Sequence, residues 1–261
     1  MRGWFYTALL FFAVLQGTAQ DFSAYQEGYY QVNDFVLPYR ILAPKTFSEQ
    51  KQPLLIFLHG AFEKGTDNQK QLMIGGKFFL RDSIRENYPA YILFPQCPPD
   101  DSWAYFENQI DLSTGYAKDW VFPFRKDPTY VSAVLKLLVD SIVHSGKIDP
   151  SKIYIAGLSQ GGMGVLDLIA RYPDFFAGGI SMCGAGNPST VRLFAGKVSL
   201  WLFHGDADPI VPSIFSEQFH RRLKKAHAAV RFDLYRGVAH DCWIKAFAEP
   251  DLMSWLFAQK K

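Results

Sequence analysis

The sequence predicts an α/β fold, with a mainly parallel central sheet and helices on both of its faces. Short, almost continuously apolar segments alternate along the chain with longer segments that carry an apolar residue every three or four positions. The first pattern is typical of strands that are buried on both faces, and the second is typical of amphipathic helices. Because parallel neighbours need crossover connections, the alternation indicates helices that cover both faces of one sheet.

Seven segments are predicted as strands and four as helices. The segment 54–58, for example, is a continuous apolar run after Pro53, and the segment 130–144 repeats valine and leucine at helical spacing. In sheets of this kind the ligand site lies beyond the carboxyl ends of the strands, so residues that directly follow a strand are candidates for function. The predicted strands are 35–41, 54–58, 91–94, 153–156, 179–182, 198–203 and 230–235, and the predicted helices are 130–144, 161–171, 215–225 and 242–258.

Composition limits the classes of protein to which this chain can belong. Hydrophobic residues make up 49% of the 261 residues and charged residues 20%, which excludes a disordered or low-complexity chain. The 27 Lys and Arg nearly balance the 25 Asp and Glu, so no nucleic acid is expected as a partner. The sequence has no internal repeat and no long polar linker, and we expect one domain over residues 20–261.

Residues 1–19 are expected to be a signal peptide. Arg2 precedes a largely apolar run at 4–15, and residues 17–19 supply the small side chains that signal peptidase reads, with cleavage at or next to Ala19. A helix over this run would be about 18 Å long, which is shorter than a hydrocarbon core of about 30 Å. We therefore expect export to the periplasm or the extracellular space and no stable membrane insertion of the mature chain. An uncleaved N-terminal anchor is the alternative.

The most informative motif is a G-x-S-x-G pattern at residues 157–161, with Ser159 at its centre. It follows the predicted strand 153–156 directly and precedes the predicted helix 161–171, which is the context that a nucleophilic serine on a strand-to-helix turn requires. Such a turn strains the backbone of the serine and leaves no room for side chains at the outer positions, which are glycine here. A glycine-rich helix start with an incidental serine is the alternative.

A serine hydroxyl becomes a nucleophile only with a general base beside it, and the sequence offers six histidines for that role. His240 alone both follows a predicted strand and comes last in the order serine, acid, histidine. His59 and His204 lie in His-Gly turns after strands, where packing and turn geometry are the more usual roles. The others have polar neighbours on or beside predicted helices and are expected at the solvated surface: His144, His220 and His227.

The acid that orients the histidine is expected to lie between the serine and the histidine in the chain. Asp206 and Asp208 both follow the predicted strand 198–203, and Asp241 is adjacent to the histidine. Composition and spacing do not separate Asp206 from Asp208.

Taken together, the motifs resemble those of the α/β-hydrolase superfamily, and within it the secreted esterase and predicted-peptidase group. That group includes feruloyl esterases, polyhydroxybutyrate depolymerases and the phospholipase/carboxylesterase family. The resemblance implies the α/β-hydrolase fold and a serine hydrolase, and it is far less specific for the substrate. The matching segments run from about residue 30 to the C-terminus and are LHGAFEKG at 58–65, PQCP at 95–98 with Trp103, IDP at 148–150, GLSQGG at 157–162, HGDADPIVP at 204–212 and GVAHDCW at 237–243.

The resemblance also implies which aspartate is the acid. In the family pattern H-G-x-x-D-x-x-V-P the last aspartate belongs to the triad, and this position is Asp208. Asp206 is then expected to be a turn residue, and Asp241 to point away.

The charge that develops on the carbonyl oxygen of an acyl substrate needs two hydrogen-bond donors. One is expected to be the backbone N–H of Gln160, the residue after the serine, at the N-terminus of a helix. The resemblance implies that the other is the N–H of Ala61, just after the first His-Gly turn. The chain departs from the family at Phe62 and Lys64, where a small residue and an arginine are more common. Glu63 between them is expected either to fasten this loop or to be solvated.

Residues 98–130 form a long connection between a strand and a helix, and such loops are often functional. Their aromatic side chains offer flat faces that suit sugar rings and aryl acyl groups, so we expect a lined cleft. The alternative is that they only anchor an irregular loop. Trp103 and Trp243 are the strongest candidates for substrate contact, because both match the family motifs. The aromatic residues of the connection are Trp103, Tyr105, Phe106, Tyr116, Trp120, Phe122 and Phe124.

The cysteines Cys97, Cys183 and Cys242 show no spacing typical of zinc sites, and neither a metal nor a cofactor is expected. All three follow predicted strand ends, and export would permit one disulfide. Cys97 and Cys242 both lie in motifs shared with the family, so we expect these two to form the bridge if one exists. Three reduced thiols are the alternative, and Cys183 is expected to be a buried free thiol.

These observations predict a carboxylic ester hydrolase that acts through an acyl-enzyme on short-chain or aryl esters, including acyl groups on carbohydrate. A serine peptidase would use the same residues and is the alternative. Peptidases of this fold usually carry a large gating domain, for which a mature chain of about 240 residues has no room. A catalytically inactive binding protein is a third class, which the complete triad disfavours.

Overall fold

The centre of the fold is a sheet of eight strands, seen in a computed structural model that describes residues 21–46 and 49–261. The expected signal peptide, residues 1–19, lies outside these residues. The strands are β1 (Tyr25–Val32), β2 (Phe35–Leu42), β3 (Gln52–Leu58), β4 (Tyr91–Pro95), β5 (Glu107–Ile110), β6 (Ala117–Val121), β7 (Ile148–Leu158), β8 (Gly178–Met182), β9 (Ser199–Gly205) and β10 (Val230–Tyr235). The helices are α1 (Gly76–Leu80), α2 (Asp82–Asn87), α3 (Tyr130–His144), α4 (Gln160–Arg171), α5 (Val191–Phe194), α6 (Ile214–Lys225), α7 (Trp243–Ala246) and α8 (Leu252–Phe257).

The order of the strands confirms the predicted sheet. It is β1-β2-β4-β3-β7-β8-β9-β10, and β5 and β6 form a separate two-stranded sheet. β2 pairs antiparallel with β1 and with β4, and every other neighbouring pair of the large sheet is parallel. The carboxyl ends of β3, β7, β8, β9 and β10 therefore lie at one edge of the sheet, where a ligand site is expected.

The sheet separates two apolar cores. Leu54 and Ile56 of β3 pack on one face, in a cluster that includes side chains of α3, α4 and α6. Leu55 and Phe57 pack on the other face, in a cluster with side chains of α1 and α8. Successive side chains of a strand point to opposite faces, so a strand between two cores must be apolar at every position. This explains the continuous apolar run on which the prediction of β3 rests.

The predicted helix 242–258 is instead two short helices, α7 and α8. The first ends at Ala246 and the second begins at Leu252. Pro250 lies between them, and a proline inside a helix has no N–H to donate and clashes with the preceding turn. The apolar periodicity on either side of Pro250 suggested one helix. Among the described helices, none has the length and apolar character needed to cross a membrane.

The sequence patterns do not predict β1 or the hairpin of β5 and β6. β1 lies at an edge of the large sheet, and most of its residues are polar or partly exposed. The hairpin lies in the long connection 98–130, and its two short strands are polar and largely exposed. Edge and surface strands of this kind lack the continuous apolar run that marks a central strand.

Candidate active site

Ser159 lies at the sharp turn from β7 to α4, with φ of 54° and ψ of −120°. Its N–H donates to the carbonyl of Met182 at the end of β8, at 2.8 Å. The flanking glycines are required by close packing, because a Cβ on Gly161 would lie 2.0 Å from the Leu58 carbonyl oxygen and one on Gly157 would lie 2.6 Å from the Gly161 backbone. The strained turn therefore presents the serine hydroxyl beyond the carboxyl end of the strand.

The structure brings the three predicted triad residues together in one hydrogen-bonded chain. His240 Nε2 lies 2.8 Å from Ser159 Oγ, and His240 Nδ1 lies 2.7 Å from Asp208 Oδ2. The other carboxylate oxygen, Oδ1, accepts the N–H groups of Ile210 at 2.9 Å and Val211 at 3.0 Å. In this arrangement Nε2 can take the serine proton while the carboxylate fixes the tautomer and the orientation of the ring.

Asp208 is 8% exposed. Burial by itself would raise the pKa of this carboxyl, but hydrogen bonds from His204 and His240, with the charge of His240, hold the pKa well below its usual range. The carboxylate is therefore ionised at neutral pH, as an orienting acid must be.

The competing acids lie elsewhere. Asp206 is exposed, and its Oδ1 accepts the N–H of Gly237 at 2.6 Å, which fits the expected turn role. Asp241 is exposed as well.

His59 and His204 are both buried, whereas the remaining histidines are exposed or half-buried. His59 Nε2 accepts the N–H of Cys97 at 2.9 Å, and its Nδ1 lies 2.6 Å from the carbonyl oxygen of Gly60. Burial lowers the pKa of His59 to about 4, so this ring is neutral at pH 7 and ties two loops together.

Both expected oxyanion donors lie beside Ser159. Gln160 is the first residue of α4, and Ala61 is the first residue of a short 3-10 turn over Ala61–Glu63. The first N–H groups of a helix have no partner within it. A Cβ built on Gly60 would lie 3.6 Å from the Ser159 Cβ, which places the turn that starts at Ala61 against the serine.

The loop after β3 is fastened at two points despite its departures from the family pattern. Phe62 is 90% exposed, so its large side chain points out of the loop. The Lys64 ammonium donates to the Asp101 carbonyl at 2.5 Å. Glu63 is buried against Gly60, and burial raises the pKa of its carboxyl, so the alternative of a solvated Glu63 is wrong.

Comparison with known proteins identifies the fold. The profile of the phospholipase/carboxylesterase family matches residues 127–250. The crystal structure of a thermostable esterase superposes with a TM-score of 0.81 and 30% sequence identity, covering 92% of this chain and 64% of that chain. The chain has the α/β-hydrolase fold.

Two curated relatives of this chain carry the names of esterases. NocK of Nocardia uniformis subsp. tsuyamanensis is 37% identical over 90 residues, which are 34% of this chain and 26% of NocK. A SOBER1-like protein of Arabidopsis thaliana, named a probable carboxylesterase, is 26% identical over 203 residues, which cover 71% of each chain. The chain thus spans about a quarter of the length of NocK and somewhat less than two thirds of the thermostable esterase.

The structure corrects the expected role of Trp103. Its side chain is fully buried, and its Nε1–H donates to the His59 carbonyl at 3.1 Å. A Cβ on Gly164 of α4 would lie 2.4 Å from the Trp103 Cβ, so the indole is fitted into the core beneath the site. Trp243 is half-buried, and its ring lies edge-on to His240 with centroids 5.8 Å apart. Trp243 therefore remains a candidate for substrate contact.

The aromatic connection reaches the site through the hairpin of β5 and β6. Trp120 and Phe122 stack with centroids 5.8 Å apart, and Phe122 packs edge-on to Phe215 of α6 at 5.2 Å. The same cluster includes Met163, four residues after Ser159, and Val211. These rings pack the hairpin against α6 and α4, which agrees with the alternative that the aromatic residues anchor an irregular loop. The packing places the hairpin beside the three residues Ser159, Asp208 and His240.

The cysteines are arranged differently from the expected bridge. All three thiols are free, and Cys97 lies in the core on one face of the sheet while Cys183 and Cys242 lie in the core on the other. The thiol beside Cys242 is that of Cys183, so the expected pairing of Cys97 with Cys242 is wrong. Among the described residues, the potential metal ligands that gather within 4.8 Å of one another are Cys183, Asp208 and His240, two of which already form the triad.

Proposed function

We propose that this α/β-hydrolase is a serine carboxylic ester hydrolase that acts through an acyl-enzyme. The observation that carries the proposal is the unbroken hydrogen-bonded chain from Ser159 through His240 to the ionised Asp208. The phospholipase/carboxylesterase profile and the likeness to a thermostable esterase support an ester as the substrate. A peptidase of the same fold would share the triad, and no described residue favours it.

In the proposed reaction Ser159 Oγ attacks the ester carbonyl carbon while His240 Nε2 takes the hydroxyl proton. The N–H groups of Ala61 and Gln160 hold the oxyanion of the tetrahedral intermediate. The C–O bond to the alcohol then breaks, and the alcohol leaves with the proton from His240. A water molecule, deprotonated by His240, attacks the acyl-enzyme in the same way, which releases the acid and restores Ser159. No step needs a cofactor.

Apolar side chains next to the catalytic groups support an apolar ester of modest size. Phe62 follows Ala61 and is almost fully exposed, Ile210 lies two residues after Asp208 and is partly exposed, and Trp243 packs on His240. Their exposed area would be covered by an acyl or aryl group, which favours binding. We therefore propose short-chain or aryl esters as substrates, including those in which the acyl group is carried on carbohydrate.

A fluorophosphonate probe tests the nucleophile. We expect wild-type protein to be labelled, Ser159→Ala to be unlabelled, and the surface control Ser145→Ala to be labelled like wild type. Equal labelling of wild type and Ser159→Ala would refute the proposal. A panel of p-nitrophenyl acetate, butyrate and octanoate, methyl ferulate, acetylated xylan and a peptide anilide then tests the substrate class. A preference for the octanoate or the anilide would contradict it.

We also propose that the protein is exported and that residues 1–19 are removed. The charged, apolar and small-residue segments of a signal peptide occur there in the required order. Expression of the full chain in a secreting host should give an exported protein whose first residue is Gln20 or a neighbour, by N-terminal sequencing. A protein that keeps Met1 and stays with the membrane fraction would support the anchor instead.

A further inference from the structure

A second buried histidine lies against the triad acid. His204 is the next-to-last residue of β9, and its Nε2 lies 3.3 Å from Asp208 Oδ2, the same oxygen that accepts the hydrogen bond from His240 Nδ1. The side chains of His204 and Asp208 are both fully inaccessible to solvent. His204 Nε2 also lies 2.8 Å from the carbonyl oxygen of Val211, whose N–H is bound by the other carboxylate oxygen.

The neighbours of His204 decide which of its nitrogens carries a hydrogen. The Val211 carbonyl and the Asp208 carboxylate can only accept, so Nε2 must donate. Nδ1 lies 2.7 Å from Ser216 Oγ, and this hydroxyl lies 3.1 Å from the carbonyl oxygen of Gly184. The ring is therefore held at both nitrogens, with its Nε2–H directed at the two acceptors.

We propose that His204 is a positioning residue for the reaction, which donates its Nε2–H to the catalytic Asp208 and thereby sets how strongly His240 holds its proton. The inference rests on the proposed function. A second donor on Oδ2 weakens the attraction between that oxygen and the protonated His240 ring. His240 then stays in its base form to lower pH, and the carboxylate is kept in one orientation.

The other titratable groups around His204 and Asp208 do not donate to the Asp208 carboxylate in place of His204. The Cys183 thiol approaches from the end of β8, and Cys242 lies beside it. Burial raises the pKa of Cys183 well above its usual value, so it stays a neutral thiol at the pH of the assay. Asp206 lies between His204 and Asp208 in the sequence, and Asp241 directly follows His240, but both side chains are exposed.

Two substitutions separate the two nitrogens of the ring. In His204→Gln the amide nitrogen can occupy the place of Nε2 and still donate to Asp208, whereas in His204→Asn the shorter amide reaches only the place of Nδ1 and Ser216. The pH dependence of kcat/KM is measured with p-nitrophenyl acetate. We expect His204→Asn to raise the midpoint of the acid limb by about half a unit to one unit and to lower kcat about tenfold. We expect His204→Gln to keep the acid-limb midpoint of kcat/KM close to its wild-type value, and the exposed-site control His144→Gln to leave that midpoint unchanged.

A purely structural His204 would lower the melting temperature and kcat without moving the midpoint, and that result would overturn the proposal. If His204→Asn does not fold, His204→Met fills the same space without a donor and takes its place. The downfield proton resonance of His240 Nδ1–H, titrated by NMR in the Ser159→Ala background, gives the same midpoint without turnover. An inactive wild-type protein would refute the proposed function alone, since the titration would still test His204.

Discussion

At the scale of single residues, two aspartates on one loop have different surroundings and should have different effects. Asp208 is buried and bound to His240, whereas Asp206 is exposed and accepts the N–H of Gly237. We expect Asp208→Asn and His240→Ala each to lower kcat for p-nitrophenyl acetate by about 10³- to 10⁵-fold, because triad members act as a unit.

Asp206→Asn is the matched control. Its amide oxygen can still accept the N–H of Gly237, and an exposed substitution of this kind changes stability by only about 0.5 kcal/mol. We expect nearly wild-type kcat. A loss of activity in Asp206→Asn as large as in Asp208→Asn would show that the acid is assigned to the wrong residue.

His59 makes the stability of the protein depend on pH. Its pKa is about 4 in the folded protein, against about 6.5 for a histidine in an unfolded chain. Between these values the unfolded state binds more protons than the folded state, so the free energy of unfolding rises with pH. The free energy of unfolding is unaffected by His59 above about pH 6.5, and protonation of His59 in the unfolded chain lowers it by about 3 kcal/mol as the pH drops to 4.

Urea unfolding at pH 4.5 and pH 7 measures this contribution. His59→Gln, whose side-chain oxygen can accept the N–H of Cys97, should show a smaller difference between the two pH values than wild type. His144→Gln alters an exposed histidine and should keep the full difference. An unchanged difference in His59→Gln would mean that another group titrates in this range.

At the scale of elements, prediction succeeded where both faces of a strand are buried and failed where they are not. β3 and β9 are continuous apolar runs because each lies between two cores. β1 and the hairpin of β5 and β6 have exposed faces, and no apolar periodicity marks them. The prediction of one helix over 242–258 is wrong because apolar periodicity carries no information about the break at Pro250.

The hairpin of β5 and β6 should affect substrate choice more than stability. None of its residues, 107–121, lies in the two large cores, and its aromatic cluster adjoins Met163 and Val211 beside the triad. We expect replacement of 107–121 by a short Gly-Ser linker to raise KM for methyl ferulate several-fold and to lower the melting temperature by only a few degrees.

Leu112→Ser is the control for the hairpin. Leu112 is 96% exposed, so this substitution leaves the aromatic cluster intact and should change neither KM nor the melting temperature. A linker variant that loses most of its helical circular dichroism would show instead that the hairpin is needed for folding.

At the scale of the whole molecule, the candidate site is gathered from the ends of several strands. Ser159 follows β7, Asp208 follows β9, His240 follows β10, and Ala61 follows β3. A parallel sheet brings such ends to one edge, which is why chain order and strand position predicted this grouping from the sequence.

Other parts of the site could not be predicted in this way. The burial of Trp103 depends on the missing side chain of Gly164, far along the chain, and the contact between Cys183 and Cys242 depends on which face of the sheet each one meets. His204 has an ordinary His-Gly motif, and only three-dimensional distances distinguish it from a packing residue.

The backbone of Ser159 has one further consequence, for the balance between activity and folding. Its φ of 54° and ψ of −120° suit glycine and strain any other residue by about 1–3 kcal/mol. Glycine in turn loses more chain entropy on folding, by about 0.5–1 kcal/mol. We expect inactive Ser159→Gly to have a free energy of unfolding in urea about 1 kcal/mol higher than that of inactive Ser159→Ala. The fold would then be most stable without its nucleophile, and selection for catalysis would keep this chain below the stability that its own backbone permits.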